Sequence, residues 1–229
     1  MSGRLSGFKE RLYYYLWASF RRRSLDELQE RFKPLYRGIV LDIGGRDRGA
    51  FRKPRQAVEK WVHADISPEQ KPDIILDVAD MKGVEGGSMD VVNAIELFEH
   101  VDRIDSGIRE CHRVLSAGGV MLIAVPFLFP VHADPYDFQR WTDTRWRLAL
   151  QTAGFLVEEL VVMGRFFTVW ADMARAFIQS RSGLVRKLMY LLLPLLDLLV
   201  LLDKTRFVLN DKTLSAFHGG YFIVCRKPK

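Results

Sequence analysis

Three acidic residues in the first half of the chain occupy comparable places, each at the end of a short apolar segment. Asp42 ends "IVLD", Asp65 ends "WVHAD" and Asp80 follows "LDVA". If these segments are parallel strands, the carboxylates lie along the edge at which open α/β sheets bind ligands. One acid in such a place is usually a turn or helix-cap residue. Three in succession favour a binding site.

The ligand that suits Asp42 carries a positive charge. Gly44 and Gly45 follow this acid and allow the backbone to come close to a ligand. A carboxylate at the strand end would repel a pyrophosphate and attract an ammonium group. The spacing Gly-Gly-x-x-x-Gly, which ends at Gly49, also does not meet the dinucleotide pattern GxGxxG. Both observations argue against a nicotinamide dinucleotide.

The two later acids suit a nucleoside. Asp65 lies roughly twenty residues after the glycines, where a carboxylate accepts hydrogen bonds from ribose hydroxyls in nucleoside-binding folds. Asp80 is placed to approach an exocyclic amine of a purine, with Met81 packed on the ring. These acids therefore predict a ligand that contains a ribose and a purine.

A regular alternation of short apolar segments with helical or loop segments would position these residues. Nearly continuous apolar strands separated by helices are typical of a parallel sheet covered on both faces. The predicted strands are Ile39–Ile43, Trp61–Ile66, Ile74–Val78, Met89–Ala94, Val120–Val125, Phe155–Met163 and Gly219–Lys227.

The N-terminal segment predicts one or two amphipathic helices. Its apolar residues recur at three-to-four spacing among basic residues over positions 7–32. Ser24 with Glu27 three positions later is a capping-box pattern. This pattern predicts a helix start at Ser24 and a break after Arg21–Arg23.

A second unusual segment, Leu184–Lys204, is strongly apolar. Its uninterrupted core is shorter than the about 20 residues of a spanning helix, and it contains Pro194 and Asp197. One interpretation is a helix pair buried against the sheet or against a dimer partner. The other is a helix at a membrane interface, flanked by basic residues that suit anionic lipid. These residues are Arg186, Lys187, Lys204 and Arg206.

Composition narrows the class of protein only slightly. The 229 residues are 48% hydrophobic and 27% charged, with a net charge of +6, as expected of a folded chain that tolerates anionic partners. The two cysteines, Cys111 and Cys225, form no metal-binding or disulfide pattern. The N-terminus is too polar for a secretory signal, so we expect a cytoplasmic protein, with the inner face of the membrane as a site of peripheral contact.

Five motifs in order resemble those of class I S-adenosylmethionine-dependent methyltransferases. They are "IVLDIGG", "HADIS", "DVADM", "GSMDVVNAIELFEHV" and "ECHRVLSAGGVMLIAVPF". The resemblance implies a doubly wound, Rossmann-like α/β fold with a seven-stranded sheet of order 3-2-1-4-5-7-6, the last strand antiparallel. With the periodicity of the N-terminal and leucine-rich segments, we therefore expect an amphipathic helical extension over 1–36 and a methyltransferase domain over 37–229, with an apolar helical insertion at 164–217. The tract "FLFPVHADPYDFQRWT" further resembles bacterial type 11 methyltransferases of surface-polysaccharide and lipid-linked glycan pathways.

The cofactor implied by the resemblance is S-adenosylmethionine. Its methionine part would face the turn after the first strand, its ribose the end of the second strand, its adenine the third, and its sulfonium the end of the fourth. The residues implied in these contacts are, in that order, Asp42, Gly44 and Gly45; Asp65 and Ile66; Asp80 and Met81; and Asn93 to Glu96. The family pattern would place glycine at Arg46 and Arg48, so the loop departs from it there.

The candidate catalytic residues are His100, His132 and Asp134. Methyl transfer mainly requires alignment, but a hydroxyl acceptor would benefit from a base, and histidine is well matched near neutral pH. A metal bound by His132, Asp134 and Asp137 is disfavoured because such spacing arises by chance, and we predict no metal. Nucleic acid is also disfavoured as the acceptor. An amino-methyltransferase of nucleic acids is expected to have Asn or Asp, then Pro-Pro and an aromatic residue after the fourth strand, and this chain has "NAIELFEH" there.

The sequence therefore predicts a methyltransferase that O-methylates a sugar or lipid-linked glycan near the membrane. A quinone or lipid phenol is the rival acceptor. A membrane-associated scaffold that has the fold but no turnover is the alternative from another class, and a homodimer is compatible with the apolar segment. A nicotinamide-dependent enzyme is opposed by Asp42 and by the missing GxGxxG.

Overall fold

The strands form one sheet in a computed structural model that describes residues 7–45, 49–132 and 135–229. Within these residues the sheet has seven strands in the order β3-β2-β1-β4-β5-β7-β6. The strands are β1 (Gly38–Ile43), β2 (Val58–Asp65), β3 (Ile74–Ile75), β4 (Met89–Ile95), β5 (Leu115–Pro126), β6 (Leu156–Val162) and β7 (Gly220–Arg226). The predicted fold class and strand order are confirmed.

Strand directions follow from the register of the pairs. β1 pairs in parallel with β2 and β4, β2 with β3, and β4 with β5. At the other edge, the N–H of Lys227, just after β7, donates to the carbonyl of Gly119 near the start of β5. β7 therefore runs antiparallel to its neighbour, as predicted.

The third strand is shorter than predicted, because a turn replaces its second half. Asp77 accepts a hydrogen bond from the N–H of Ala79 through its side chain, at 2.8 Å. Its backbone carbonyl also accepts from the N–H of Asp80, at 2.9 Å. Pairing with β2 consequently stops at Ile75.

The helices are α1 (Phe8–Trp17), α2 (Phe20–Arg31), α3 (Ile104–Val114), α4 (Asp143–Thr152), α5 (Phe166–Gln179), α6 (Gly183–Met189), α7 (Leu193–Val200) and α8 (Arg206–Leu209). Described residues fall into two compact units. One comprises those of 1–30, 48–52 and 162–220, and the other those of 31–47, 53–161 and 221–229. The second unit holds nearly all of the sheet. The boundary predicted at residue 36 stays a prediction.

The predicted helix start at Ser24 is wrong. α2 begins at Phe20 and continues through the arginines, so Ser24 lies inside it. The reason is a cap supplied from elsewhere in the chain: Asp172 on α5 accepts hydrogen bonds from the N–H groups of Phe20 and Arg21, at 2.6 and 3.0 Å. This cap satisfies helix N–H groups that a local serine would otherwise satisfy.

The inserted segment is helical, as predicted. Its small core joins α5, α7 and Phe20, and Leu193 and Leu196 are the α7 residues in it. Most other leucines of the leucine segment, defined here as residues 184–201, are exposed. Leu191, the extreme case, is 75% exposed. Among the described residues, no helix is both long enough and apolar enough to cross a membrane.

Candidate active site

A buried hydrogen-bond network surrounds Asp42 at the end of β1. Asp42 faces Asn93 across the β1–β4 pair, and Asn93 Nδ2 donates to Asp42 Oδ1 at 2.6 Å. Tyr36 donates its hydroxyl hydrogen to Asn93 Oδ1 at 2.7 Å. Lys53 Nζ lies 2.8 Å from Asp42 Oδ2. An ammonium group of the chain itself therefore pairs with Asp42, whereas the ammonium group predicted from the sequence belongs to a ligand and stays a prediction.

The two glycines after Asp42 fit a turn that tolerates no side chain. Gly44 has φ +65°, a left-handed conformation that favours glycine. A Cβ atom on Gly45 would lie 2.2 Å from the Asp42 carboxylate oxygens. The backbone at Gly45 thus lies so close to the Asp42 carboxylate that the hydrogen-bond network itself requires glycine there, whether or not a ligand binds. Arg46 and Arg48 lie outside the described residues.

The end of β2 presents one carboxylate oxygen. Asp65 Oδ1 accepts a hydrogen bond from the N–H of Ser67 at 2.8 Å. Among the described residues, no hydrogen bond reaches Oδ2 of Asp65, so this oxygen is available to a hydroxyl donor. The next residue, Ile66, is 65% exposed and offers apolar surface beside it. This pair suits a nucleoside better than any other predicted contact.

The turn that follows β3 is hydrogen-bonded to an ion pair on α3, formed by Glu110 and Arg113 and called the clamp below. Glu110 on α3 accepts from the N–H of Met81 at 2.8 Å, and Arg113 donates to the carbonyl of Met81 at 2.8 Å. Arg113 also donates to Glu110, and this bond lowers the pKa of the Glu110 carboxyl. Asp80 is exposed and pairs with Lys82 at 2.8 Å.

Two adenine contacts predicted on this turn differ in how accessible they are. Asp80 is accessible to a ligand. The side chain of Met81 has no exposed surface, so contact with a purine ring would require Met81 to move. Both assignments stay predictions.

β4 ends in an unusual backbone conformation. Glu96 has φ +54°, which is uncommon for a residue other than glycine, and its N–H donates to the carbonyl of Ala124 on β5 at 2.8 Å. Residues held in such conformations cluster at functional sites. The assignments of Glu96 and Asn93 both stay predictions, and Asn93 also belongs to the Asp42 network.

Both predicted catalytic histidines lie in one cluster with Glu99, a residue that the sequence analysis did not select. The His100 and His132 rings are 5.3 Å apart between centroids, edge to face. Nε2 of each ring lies 3.9 Å from Glu99 Oε1. Asp134, the third predicted catalytic residue, lies outside the described residues.

Hydrogen bonds fix the loop that carries His132. Asp137 accepts from the N–H of His132 at 2.9 Å. The Arg140 guanidinium bonded to Asp137 lowers the pKa of that carboxyl to about 2. The N–H of Phe138 donates to the carbonyl of Glu99 at 2.9 Å. These bonds connect the loop after β5 to the short 3₁₀ helix Phe98–His100.

The residues that sequence reasoning missed are Tyr36, Lys53 and Glu99. Tyr36 and Lys53 lie in segments without a motif, and only the fold brings Tyr36 to Asn93 and Lys53 to Asp42. Glu99 had a signal, since it precedes His100 in the tract that follows the fourth strand, but an acid in a short helix is usually solvated. Here its side chain is 1% exposed.

The site fits S-adenosylmethionine in part. The free oxygen of Asp65, the exposed Ile66 and the glycine turn suit a ribose and a close backbone contact. The Asp42 carboxylate fits less well, because Lys53 already neutralises it. An ammonium group at that place would compete with Lys53.

A comparison with family models matches residues 41–123 to the methyltransferase domain family. The match covers β1 to β5 in part and includes Asp42, Asp65 and the end of β4. No curated protein sequence matches this chain.

Solved structures share the fold at low sequence identity. The [4+2]-cyclase SpnF is 19% identical with a TM-score of 0.57, over 90% of this chain and 80% of its own. A putative sarcosine dimethylglycine methyltransferase from Galdieria sulphuraria is 16% identical with a TM-score of 0.57, over 91% and 85%. Phosphoethanolamine N-methyltransferase 2 from Haemonchus contortus, solved with S-adenosyl-L-methionine, is 17% identical with a TM-score of 0.52, over 91% of this chain and 53% of its own.

The sheet order and the family match agree with each other. Identities this low establish the fold and not the reaction, and the cyclase among the similar structures shows that the reaction needs separate evidence. The chain therefore contains a region that matches the methyltransferase domain family, and it has the Rossmann-like methyltransferase fold.

Proposed function

We propose that this protein is an S-adenosylmethionine-dependent methyltransferase that O-methylates a sugar or lipid-linked glycan at a membrane surface. The observation that carries the proposal is Asp65 at the end of β2, with one oxygen available inside the segment that matches the family. A buried carboxylate that leaves an acceptor position open suits a pair of ribose hydroxyls.

Different residues of the chain would bind different parts of S-adenosylmethionine. When bound, S-adenosylmethionine would supply an electrophilic methyl carbon, whose bond to sulfur breaks as the acceptor oxygen attacks it in line and S-adenosylhomocysteine leaves. Asp65 would hold the ribose hydroxyls, and Gly44 and Gly45 would let the backbone approach. Ile66 would cover an apolar surface of the nucleoside.

The histidine cluster supplies the chemistry that a hydroxyl acceptor needs. Nδ1 of His100 faces the carbonyl of Tyr136 at 2.6 Å, and a carbonyl can only accept a hydrogen bond. Nδ1 of the neutral ring therefore carries the proton, and Nε2 carries the lone pair. That nitrogen is suited to take the proton of an acceptor hydroxyl.

A lipid-linked acceptor is favoured by the leucine segment. It exposes many large apolar side chains, and Arg186 and Lys187 lie exposed within it. Apolar side chains next to cations are suited to the interface of an anionic membrane. A quinone or lipid phenol would reach the same surface, so the acceptor class is decided by assay and not by this segment.

The first test is calorimetric titration with S-adenosylhomocysteine. We expect micromolar or tighter binding by the wild-type protein and a loss of at least tenfold in Asp65→Ala. Asp211→Ala is the matched control, because Asp211 also accepts a hydrogen bond from the N–H two residues later, at 2.8 Å, in the other unit. This control should bind like the wild type.

Two results would count against the proposal. Absence of binding by well-folded wild-type protein would favour the non-catalytic scaffold. Binding that Asp65→Ala retains would move the nucleoside away from β2. If binding is as expected, transfer of labelled methyl from S-adenosylmethionine to lipid-linked glycans and to lipid phenols, compared side by side, would identify the acceptor class.

A further inference from the structure

Three side chains at the carboxyl ends of β4 and β5 direct ligand atoms toward one point. They are Glu99, His100 and His132, and their ligand atoms all lie within 4.8 Å of one another. We propose that this cluster binds one divalent transition-metal ion, with Zn²⁺ as the ion to test. This set differs from His132, Asp134 and Asp137, because Asp137 pairs with Arg140 and lies on the Nδ1 side of the His132 ring.

The orientation of the two rings supports the proposal. Nδ1 of His100 lies 2.6 Å from the carbonyl oxygen of Tyr136, and Nδ1 of His132 lies 3.1 Å from that of Pro130. Both carbonyls select the tautomer with hydrogen on Nδ1. The lone pairs of the neutral rings are then on Nε2, and both Nε2 atoms face Oε1 of Glu99. Three acceptor atoms that converge in this way repel one another unless a proton or a cation lies between them.

The surroundings resemble the outer shell of a metal site. Histidine ligands of metals commonly donate their other ring N–H to a backbone carbonyl or a carboxylate, which fixes the ring. His132 has both kinds of neighbour, because Oδ2 of Asp137 lies 3.5 Å from its Nδ1. Asp137 is itself held by Arg140. The loop is therefore supported before any ion binds.

Distances and ligand types are compatible with zinc. Two ligands at about 2.1 Å from a tetrahedral Zn²⁺ lie about 3.4 Å apart. Each Nε2 is 3.9 Å from Glu99 Oε1, about half an ångström more than this, and the three ligand atoms all lie within 4.8 Å of one another, so side-chain rotations would bring them to one ion. Two imidazoles and one carboxylate form a ligand set that zinc uses in catalytic sites, where a fourth position stays open.

The Glu99 carboxylate is the most deeply buried of the three groups in the cluster. The Glu99 side chain is 1% exposed, whereas that of His132 is 36% exposed. The open side of the cluster is thus toward His132 and solvent. An acceptor hydroxyl would suit this open position as a further ligand. With the ion bound, the Nε2 lone pair of His100 is engaged, so the ion would take the place of that nitrogen in promoting loss of the hydroxyl proton; these two sentences alone rest on the proposed function.

The test measures metal binding without cofactor or acceptor. Tag-free, full-length protein is stripped of metal and titrated with Zn²⁺, and Co²⁺ is used in parallel because its visible absorption reports coordination. We expect one bound equivalent in the wild type. His132→Gln should weaken binding more than about 100-fold, since loss of an outer-shell partner alone costs about 10- to 100-fold. Glu99→Gln should do the same.

A control variant tests whether metal binding depends on this cluster, and a ligand titration tests the proposed function separately. His112→Gln removes an imidazole of the same unit that lies against Phe155, outside the cluster, and should bind metal like the wild type. Equal binding by His132→Gln and wild type, or no binding by the wild type, overturns the metal site. Titration with S-adenosylhomocysteine on the same samples separates the two proposals, because a protein that binds this ligand without metal retains the proposed function and loses only the metal.

Discussion

Asn93 Nδ2 donates a hydrogen bond of 2.6 Å to Oδ1 of Asp42, the residue that it faces across the β1–β4 pair. The Tyr36 hydroxyl donates to the same Asn93, and Lys53 pairs with the other Asp42 oxygen. Asp42 is 1% exposed, and each of its two oxygens has a partner in the chain. The carboxylate therefore belongs to an internal network whether or not a ligand binds.

Lys53→Met should destabilise the protein. The substitution leaves the buried carboxylate of Asp42 without its cation, which costs about 3–5 kcal/mol for fully buried pairs. The Lys53 side chain is 32% exposed, so we expect about 2–3 kcal/mol in the free energy of unfolding, measured by urea denaturation. S-adenosylhomocysteine carries an ammonium group and should restore more stability to this variant than to the wild type.

Lys82→Met is the matched control for that experiment. Lys82 also lies 2.8 Å from an aspartate, Asp80, but both side chains are exposed. We expect no measurable change in unfolding free energy. Similar losses in the two variants would show that burial of Asp42 does not set the cost.

Gly45→Ala should distort the turn after β1. The new methyl group would lie 2.2 Å from the Asp42 carboxylate, so either the turn or the Asn93 bond must shift. We expect a loss of about 1–3 kcal/mol in stability and weaker binding of S-adenosylhomocysteine. Gly83→Ala, which meets nothing within 4 Å, should leave both unchanged. Normal binding by Gly45→Ala would place the ligand away from this turn.

The sheet could be predicted from the sequence because each strand is apolar and ends in a recognisable turn. The five ordered motifs then fixed the expected strand order, and the structure has that order. The start of α2 could not be predicted, since its cap comes from Asp172, some 150 residues later in the chain. A local pattern at Ser24 carries no information about such a partner.

The candidate site was predictable to the extent that strand ends define it. Asp42, Asp65 and Asn93 lie where parallel strands place them. The environment of each was not predictable, because Lys53 reaches Asp42, and Tyr36 reaches Asn93, from segments without periodicity or motif. Convergence of Glu99, His100 and His132 likewise depends on how the loop after β5 folds back, which backbone hydrogen bonds such as Phe138 to Glu99 determine.

Glu110→Gln should remove a pH-dependent part of the stability. The hydrogen bond from Arg113 holds the pKa of Glu110 below its ordinary value, so folding favours the ionised form. This stabilisation is fully present above the ordinary carboxyl pKa of about 4.3 and declines as the pH falls below it. We therefore expect the wild type to be about 1–2 kcal/mol more stable than Glu110→Gln near neutral pH, with the difference shrinking in acid.

Denaturant unfolding at several pH values between neutral and acid checks this prediction. Glu85→Gln is the control, because Glu85 is an exposed carboxylate before β4, outside the clamp. A difference between wild type and Glu110→Gln that stays constant with pH would mean that packing, and not the charge of Glu110, holds the turn at Met81.

Leu191→Ser combined with Leu195→Ser should weaken binding to vesicles that contain anionic lipid. Both leucines are exposed in the leucine segment, and an inserted leucine side chain contributes about 1.5–3 kcal/mol. Partial insertion of two would still make a difference of at least about tenfold in cosedimentation affinity. The control, Leu148→Ser with Leu156→Ser, removes two similarly exposed leucines from the other unit and should bind vesicles normally. If both double variants bind vesicles equally well, or if the wild type does not bind, the leucine segment does not contact lipid. Sedimentation would then test whether its exposed leucines instead mediate self-association.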